Sequence, residues 1–176
     1  MDETGSTFRA RFGTTWAPVG HPPRLRRMSK RREVSSVVAL LAPGGRRPAR
    51  LYARHFEGSI HGKQLAAALR HFRRKAGRPL VVVWDRLGTH RAHEVKALVE
   101  AHPDDFFLEE LPPYSPELNP EEGCNSQVKA DMRNALPNSV EELHRQVRSA
   151  FIRLARRHSA LRGFFHRAGL SLRGLT

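Results

Sequence analysis

The segment Pro79-Leu-Val-Val-Val-Trp84 restricts the fold more than any other part of the chain. It is a continuous apolar, β-branched run, and its length and composition read as a central strand buried on both faces. Such strands belong to parallel or mixed sheets covered by helices, so the chain is expected to be α/β. The run stops on Asp85. In open α/β sheets, sites lie beyond the carboxyl ends of strands, so this carboxylate is a first functional candidate.

The flanking patterns supply the remaining elements. Val34 to Leu41 is β-branched and apolar, with Pro43-Gly44-Gly45 after it. Leu51, Ala53 and Phe56 alternate with polar neighbours, so 34–41 and 50–56 are expected to pair as an antiparallel hairpin across that turn. Gly62 to Lys75 reads as a helix with Leu65, Ala68, Leu69 and Phe72 on one face, ended by Gly77. Arg91 to Val99 reads as a second helix, with Val95 and Leu98 inward, and Phe106-Phe107-Leu108 as a short buried strand. After the Pro-rich stretch 111–116, a helix is expected from Asn119 to about Asn134, with Pro120 at its first position and Glu122 in the capping-box slot. Ser139 opens another helix, whose stripe is Leu143, Val147, Ala150, Phe151 and Leu154; beyond Gly163 a short helix or coil remains. The order is β-β-α-β-α-β-α-α, one domain over 1–176 with 139–176 as its basic helical end.

Charge is distributed unevenly. The chain carries 31 Lys plus Arg and 17 Asp plus Glu, a formal +14. Residues 1–80 are net +14, residues 81–142 net −8, and residues 143–176 net +8. Basic flanks attract a polyanion. Clustered carboxylates repel it unless metal ions sit between them, so the pattern points to a nuclease or phosphoryl-transfer centre. A lone cysteine, Cys124, excludes an intrachain disulfide framework and a cysteine-built zinc site. The start does not resemble a signal peptide and no apolar window reaches membrane-spanning length, so a soluble intracellular protein is expected.

Each acid also has an ordinary role open to it. Asp85 can cap a helix or pair with Arg86 or Arg91. Glu122 can cap Asn119 reciprocally. His90 can cap a helix or bond to its loop.

The middle of the chain narrows these alternatives. Asp85-Arg-Leu-Gly-Thr-His90, the block Leu111-Pro-Pro-Tyr-Ser-Pro-Glu-Leu-Asn-Pro-Glu-Glu122, and Lys129 together resemble the DDE transposases of the insertion-sequence type related to Tc1/mariner. Asp2-Glu3 and Thr15-Trp16-Ala17-Pro18-Val19-Gly20 resemble that family's first-acid segment and the turn after it. The resemblance covers the family's catalytic domain without its amino-terminal helix-turn-helix region. It implies an RNase H-like mixed sheet (ribonuclease H/integrase type) flanked by helices, with the first strand incomplete. It implies a catalytic, metal-binding triad of Asp2, Asp85 and Glu122, with Glu121 as the alternative third acid. Asp85 and Glu122 are 37 positions apart, close to the family's spacing. His90 and Lys129 would lie near substrate phosphates, and two Mg²⁺ or Mn²⁺ ions would serve strand cleavage and strand transfer at transposon ends.

Double-stranded DNA is the partner this implies, with a homodimer in a synaptic complex and no membrane or small-molecule cofactor. The cytoplasm of a prokaryote, on the nucleoid when DNA-bound, is the expected location. Asp2 stands at the chain's start and Asn125 replaces the family's Trp, so weak or no nicking is expected of the isolated chain. A non-catalytic DNA-binding relic and an RNase H or resolvase-like nuclease are the alternatives.

Overall fold

A computed structural model describes residues 1–8, 14, 16–22, 24, 33–42 and 47–171. Three strands, β1 (Asp2–Thr7), β2 (Glu33–Leu41) and β3 (Arg50–Glu57), form an antiparallel sheet with β2 in the middle. The expected hairpin of β2 and β3 is present, with Val38 opposite Ala53; its turn, 43–46, lies outside the described residues. β4 (Leu80–Trp84) and β5 (Phe106–Glu110) form a parallel pair, with Leu80 opposite Phe106. The Met1 amine donates to the Val83 carbonyl and joins the two sheets at the end of β4.

Helices cover the sheets from opposite sides. On one side lie α1 (Gly62–Ala76) and α2 (His93–Ala101), preceded by a 3₁₀ turn at Gly88–Arg91. Leu65, Leu69 and Phe72 of α1 pack there with Val37, Val82, Trp84, Val95 and Phe106. Against the other face pack α3 (Pro120–Asp131), α4 (Val140–Ala155) and α5 (His158–Arg167). Their core joins Val128, Leu143, Val147, Phe151, Leu154, Leu161 and Phe164 to Val34, Val38 and Leu51. The Ser139 hydroxyl accepts from the Glu142 amide and caps α4 as the sequence predicts. Gly123 is required where α3 meets α5, because a Cβ there would lie 2.5 Å from the Phe164 ring.

Several expectations are corrected. β1 is a strand that its own sequence, Asp-Glu-Thr-Gly-Ser-Thr, does not announce; every residue pairs with β2, from Asp2 opposite Val38 to Thr7 opposite Glu33. The strand doubly buried through most of its length is β2, with Val37 and Val38 in different cores. β4 is covered on one face: Val81 is 67% and Val83 42% exposed. In β5 only Phe106 is buried. Phe56 lies on the opposite face of β3 from Leu51 and Ala53, as strand alternation demands, and His55 joins theirs. The third helix ends at Asp131, before the expected Asn134, and the end of the chain forms α5 from His158. Among the described residues no helix is long and apolar enough to cross a membrane.

Candidate active site

The site is built around the first two residues of β1. Side chains alternate along a strand, so Asp2 and Glu3 point to opposite faces of the sheet. Asp2 faces α3. It is 7% exposed, its Oδ1 accepts from the Glu3 amide at 2.9 Å, and its Oδ2 accepts from the Asn125 side chain at 2.7 Å. Burial first, and then the charge of Glu122, push the Asp2 carboxyl up to about 7. The other Asn125 side-chain atom, Oδ1, is buried without a hydrogen-bond partner, as is Thr4 Oγ1 further along the same face. The Glu3 amide and the Met1 ammonium pull the Asp2 carboxyl the other way, but less strongly.

Glu3 faces the α1 and α2 side, where it meets His90. The His90 Nε2 lies 3.0 Å from the Glu3 carboxylate, and Nδ1 lies 2.7 Å from the Asp85 carbonyl. The Asp85 carboxylate is 3.3 Å from Nδ1 and also accepts from the Leu87 amide at 3.0 Å. Both ring nitrogens thus face acceptors, which an imidazolium satisfies by donating twice. Burial alone would lower the His90 pKa, but hydrogen bonding and charge from Glu3, with Asp85 adding to both, outweigh it and hold it above the ordinary value. The ring stacks on Trp84 at 4.2 Å, nearly parallel. The ligand atoms of Glu3, Asp85 and His90 all lie within 4.8 Å of one another, so this cluster can hold a metal ion.

The third element is α3. Asn119 caps it, its side chain accepting from the Glu121 amide at 3.2 Å, with Pro120 in the first turn. Such a cap contributes about 1 kcal/mol. Glu121 points into the protein: its Oε1 accepts the Leu40 amide at 2.9 Å and pairs with the Met1 amine at 3.0 Å. Glu122 is exposed and lies beside a cavity of about 420 Å³ whose lining includes Ser126, Gln127, Phe164 and Arg167. Lys129 is exposed two helical turns along, on the same side of α3 as Glu122. The loop 111–119 connects the regions, because the Leu111 amide donates to the Trp84 carbonyl at 2.7 Å, next to Asp85.

The predicted residues therefore divide into two groups. Asp2 is coupled to Glu122, and Asp85 is joined through His90 to Glu3. The ordinary pairing of Asp85 with Arg86 or Arg91 is not made; both arginines meet Glu110. His90 is buried, with both ring nitrogens engaged by Glu3 and Asp85. Asp2 is held by the Glu3 amide and by the Asn125 side chain, so Asn125 is a hydrogen-bond partner of Asp2. Glu3 and Asn125 are the residues that sequence reasoning missed. The signals were there: an Asp-Glu pair on one strand must serve two faces, and Asn125 is three residues after Glu122 on a helix.

A family model described as "DDE superfamily endonuclease" matches residues 1–144. The chain belongs to the DDE superfamily endonucleases. No curated protein matches significantly. Solved structures of Mos1 transposase share the fold. One is its paired-end complex with the left transposon end, with TM-score 0.66 and 16% identity over 95% of this chain and 50% of that one. Another is the Mos1 mariner paired-end complex with Mn, with TM-score 0.65 and 16% identity over 96% of this chain and 52% of that one. A pre-cleavage Mos1 transpososome gives TM-score 0.66 at 14% identity, covering 95% of this chain and 52% of the other. The endonuclease domain seen here thus spans about half the length of the Mos1 chains. Its antiparallel β1–β3 sheet and parallel β4–β5 pair, flanked by helices, make the mixed RNase H-like fold of the DDE transposases.

Proposed function

We propose that this chain is the catalytic domain of a transposase, cutting DNA strands and joining the resulting 3′ ends to new sites with divalent metal. The observation that carries the reading is the flank of Asp2. A buried carboxylate with its pKa raised to about 7 by burial and by Glu122 is a poor structural choice, but it suits a site that receives cations.

Asp2, Asp85 and Glu122 would hold two Mg²⁺ or Mn²⁺ ions, whose chemistry is to activate the attacking oxygen and stabilise the leaving one. A donor set dominated by carboxylate oxygens fits such hard cations. Asn125 orients Asp2, and Glu3 with His90 fixes the backbone and carboxylate of Asp85. Glu121, engaged with Leu40 and Met1, supports Glu122 as the third acid. Lys129 would meet a phosphate of the bound strand. Double-stranded DNA is the substrate, and a homodimer joining two transposon ends is the proposed assembly.

The test is nicking of supercoiled plasmid with Mn²⁺, comparing the chain with Asp85→Asn. Nicking that the variant loses supports the reading. DNA binding with no Mn²⁺-dependent nicking by either chain would leave a DNA-binding relic.

A further inference from the structure

Tyr114 has no role in the packing of the fold. Its side chain is 101% exposed, and its φ of 57° lies in the left-handed region, where a bulky residue is an outlier. Pro113 precedes it, Pro116 follows two positions on, and the Ser115 hydroxyl donates to the Pro113 carbonyl at 3.3 Å. Glycine would adopt this backbone without strain. The ring therefore buries nothing and occupies a strained position. Its location is specific, though. The loop leaves β5 beside Asp85, through the Leu111 amide on the Trp84 carbonyl, and ends at Asn119, the cap of the Glu122 helix. Tyr114 lies near the middle of that bridge. An observed strain at such a place leads to a hypothesis of function.

Resting on the strand-cleaving reading above, we propose that Tyr114 is a substrate-stacking residue that takes the face of an unpaired DNA base next to the reacting phosphate. Contacts to phosphate position a strand without holding its bases. An aromatic ring holds any base, because every base has a π-face. Inside a continuous duplex both faces are covered by neighbours. A frayed end, an overhang or an extruded nucleotide offers one. The ligand is therefore unpaired nucleotides at a strand end, and discrimination is by base presence, with little regard to sequence.

The experiment is fluorescence anisotropy with two labelled duplexes, without divalent metal. One carries a short 3′ thymidine overhang, and the other the same overhang made abasic, so the phosphates are equal. The wild-type chain should bind the thymidine overhang on the order of tenfold tighter. Tyr114→Gly should erase that preference, and Tyr114→Phe and Tyr114→Trp should keep it. The salt dependence should be the same in all four chains, since phosphate contacts are untouched. Tyr114→Gly should melt no lower than wild type, because glycine suits the positive φ. A wild-type chain that binds both duplexes equally, or a Tyr114→Gly chain that keeps the preference, overturns the stacking and leaves the cleavage reading intact. A lower melting temperature for Tyr114→Gly makes the ring structural and also overturns it. No binding of either duplex by the wild-type chain sinks both readings.

Discussion

The two flanks of β1 hold the same kind of residue under opposite electrostatic conditions. On the Glu3 flank, His90 sits between Glu3 and Asp85, whose hydrogen bonds and charges raise its pKa. On the Asp2 flank, Asp2 and Glu122 repel each other, and Asn125 gives Asp2 one neutral hydrogen bond. On the proposed reading the Asp2 flank awaits a cation, and the Glu3 flank, whose ligand atoms lie within 4.8 Å of one another, can hold one too. The difference teaches that a strand carboxylate can be met by a neighbouring imidazole or left to a ligand, so that both flanks bear on the proposed metal site.

The largest expected effect breaks the joint between the flanks. Asp85→Asn should reduce Mn²⁺-dependent nicking by more than the roughly 10–100-fold that loss of a supporting residue gives. Rates measured on supercoiled plasmid check this, and a smaller loss would demote Asp85 to a positioning residue.

The next effect separates the flanks by stability. His90→Ala removes a buried ring that is hydrogen-bonded at both nitrogens and stacked on Trp84, so it should lower folding stability by roughly 2–3 kcal/mol. Urea melts in metal-free buffer read this directly. A cost near zero would mean that the Glu3 flank is not held by His90.

A third measurement uses a group outside both flanks as a reference. His55 lies under α4, hydrogen-bonded to Ser36 at 2.8 Å. Burial first, then the charges of His144, Arg148 and Arg54, lower its pKa from 6.5 to about 4. The unfolded chain therefore binds this proton before the folded one, and stability should fall as pH drops from about 6.5 to about 4. Below that it should flatten. The difference in thermal melts between wild type and His55→Gln across this range should show the slope, because other titrating groups are common to both chains. The Asp2 flank should give the opposite sign: its raised pKa means stability present in acid is lost as pH climbs from about 4 to about 7.

The smallest effect is at the edge of the site. Lys129→Ala should weaken DNA binding evenly across sequences and reduce the salt slope by about 1. An unchanged slope would place Lys129 away from phosphate.

Much of the fold was legible because periodicity reported burial. The stripes Leu65-Ala68-Leu69-Phe72 and Leu143-Val147-Ala150-Phe151-Leu154 are fully inside, as their spacing required. The two β-branched runs were legible as strands but were ranked wrongly. β2 lies between α1 and the α3–α4 layer, while β4 keeps Val81 and Val83 exposed, and nothing in a run of valines says how many helices will cover it. β1 was illegible by pattern: six polar or small residues become a strand only because β2 pairs with each of them. Asp2, Asp85 and Glu122 entered through a motif, and their division between two flanks came only with the sheet. Asn125 read as a lost anchor, because sequence shows a missing apolar group but not the carboxylate an amide will meet.

The central claim is that the Asp2 flank, where the carboxyl pKa stays raised despite the Met1 ammonium, is a cation site. Thermal melting of wild type and Asp2→Asn at about pH 8, above the raised Asp2 pKa, with and without Mn²⁺, tests it most directly. The account predicts that Asp2→Asn melts above wild type in metal-free buffer, because it removes the repulsion with Glu122 and can offer its amide to the unpartnered Asn125 Oδ1. It also predicts that Mn²⁺ raises the wild-type melting temperature and leaves the variant much less changed. An Asp2→Asn chain that melts below wild type without metal, together with a wild-type chain indifferent to Mn²⁺, would contradict it.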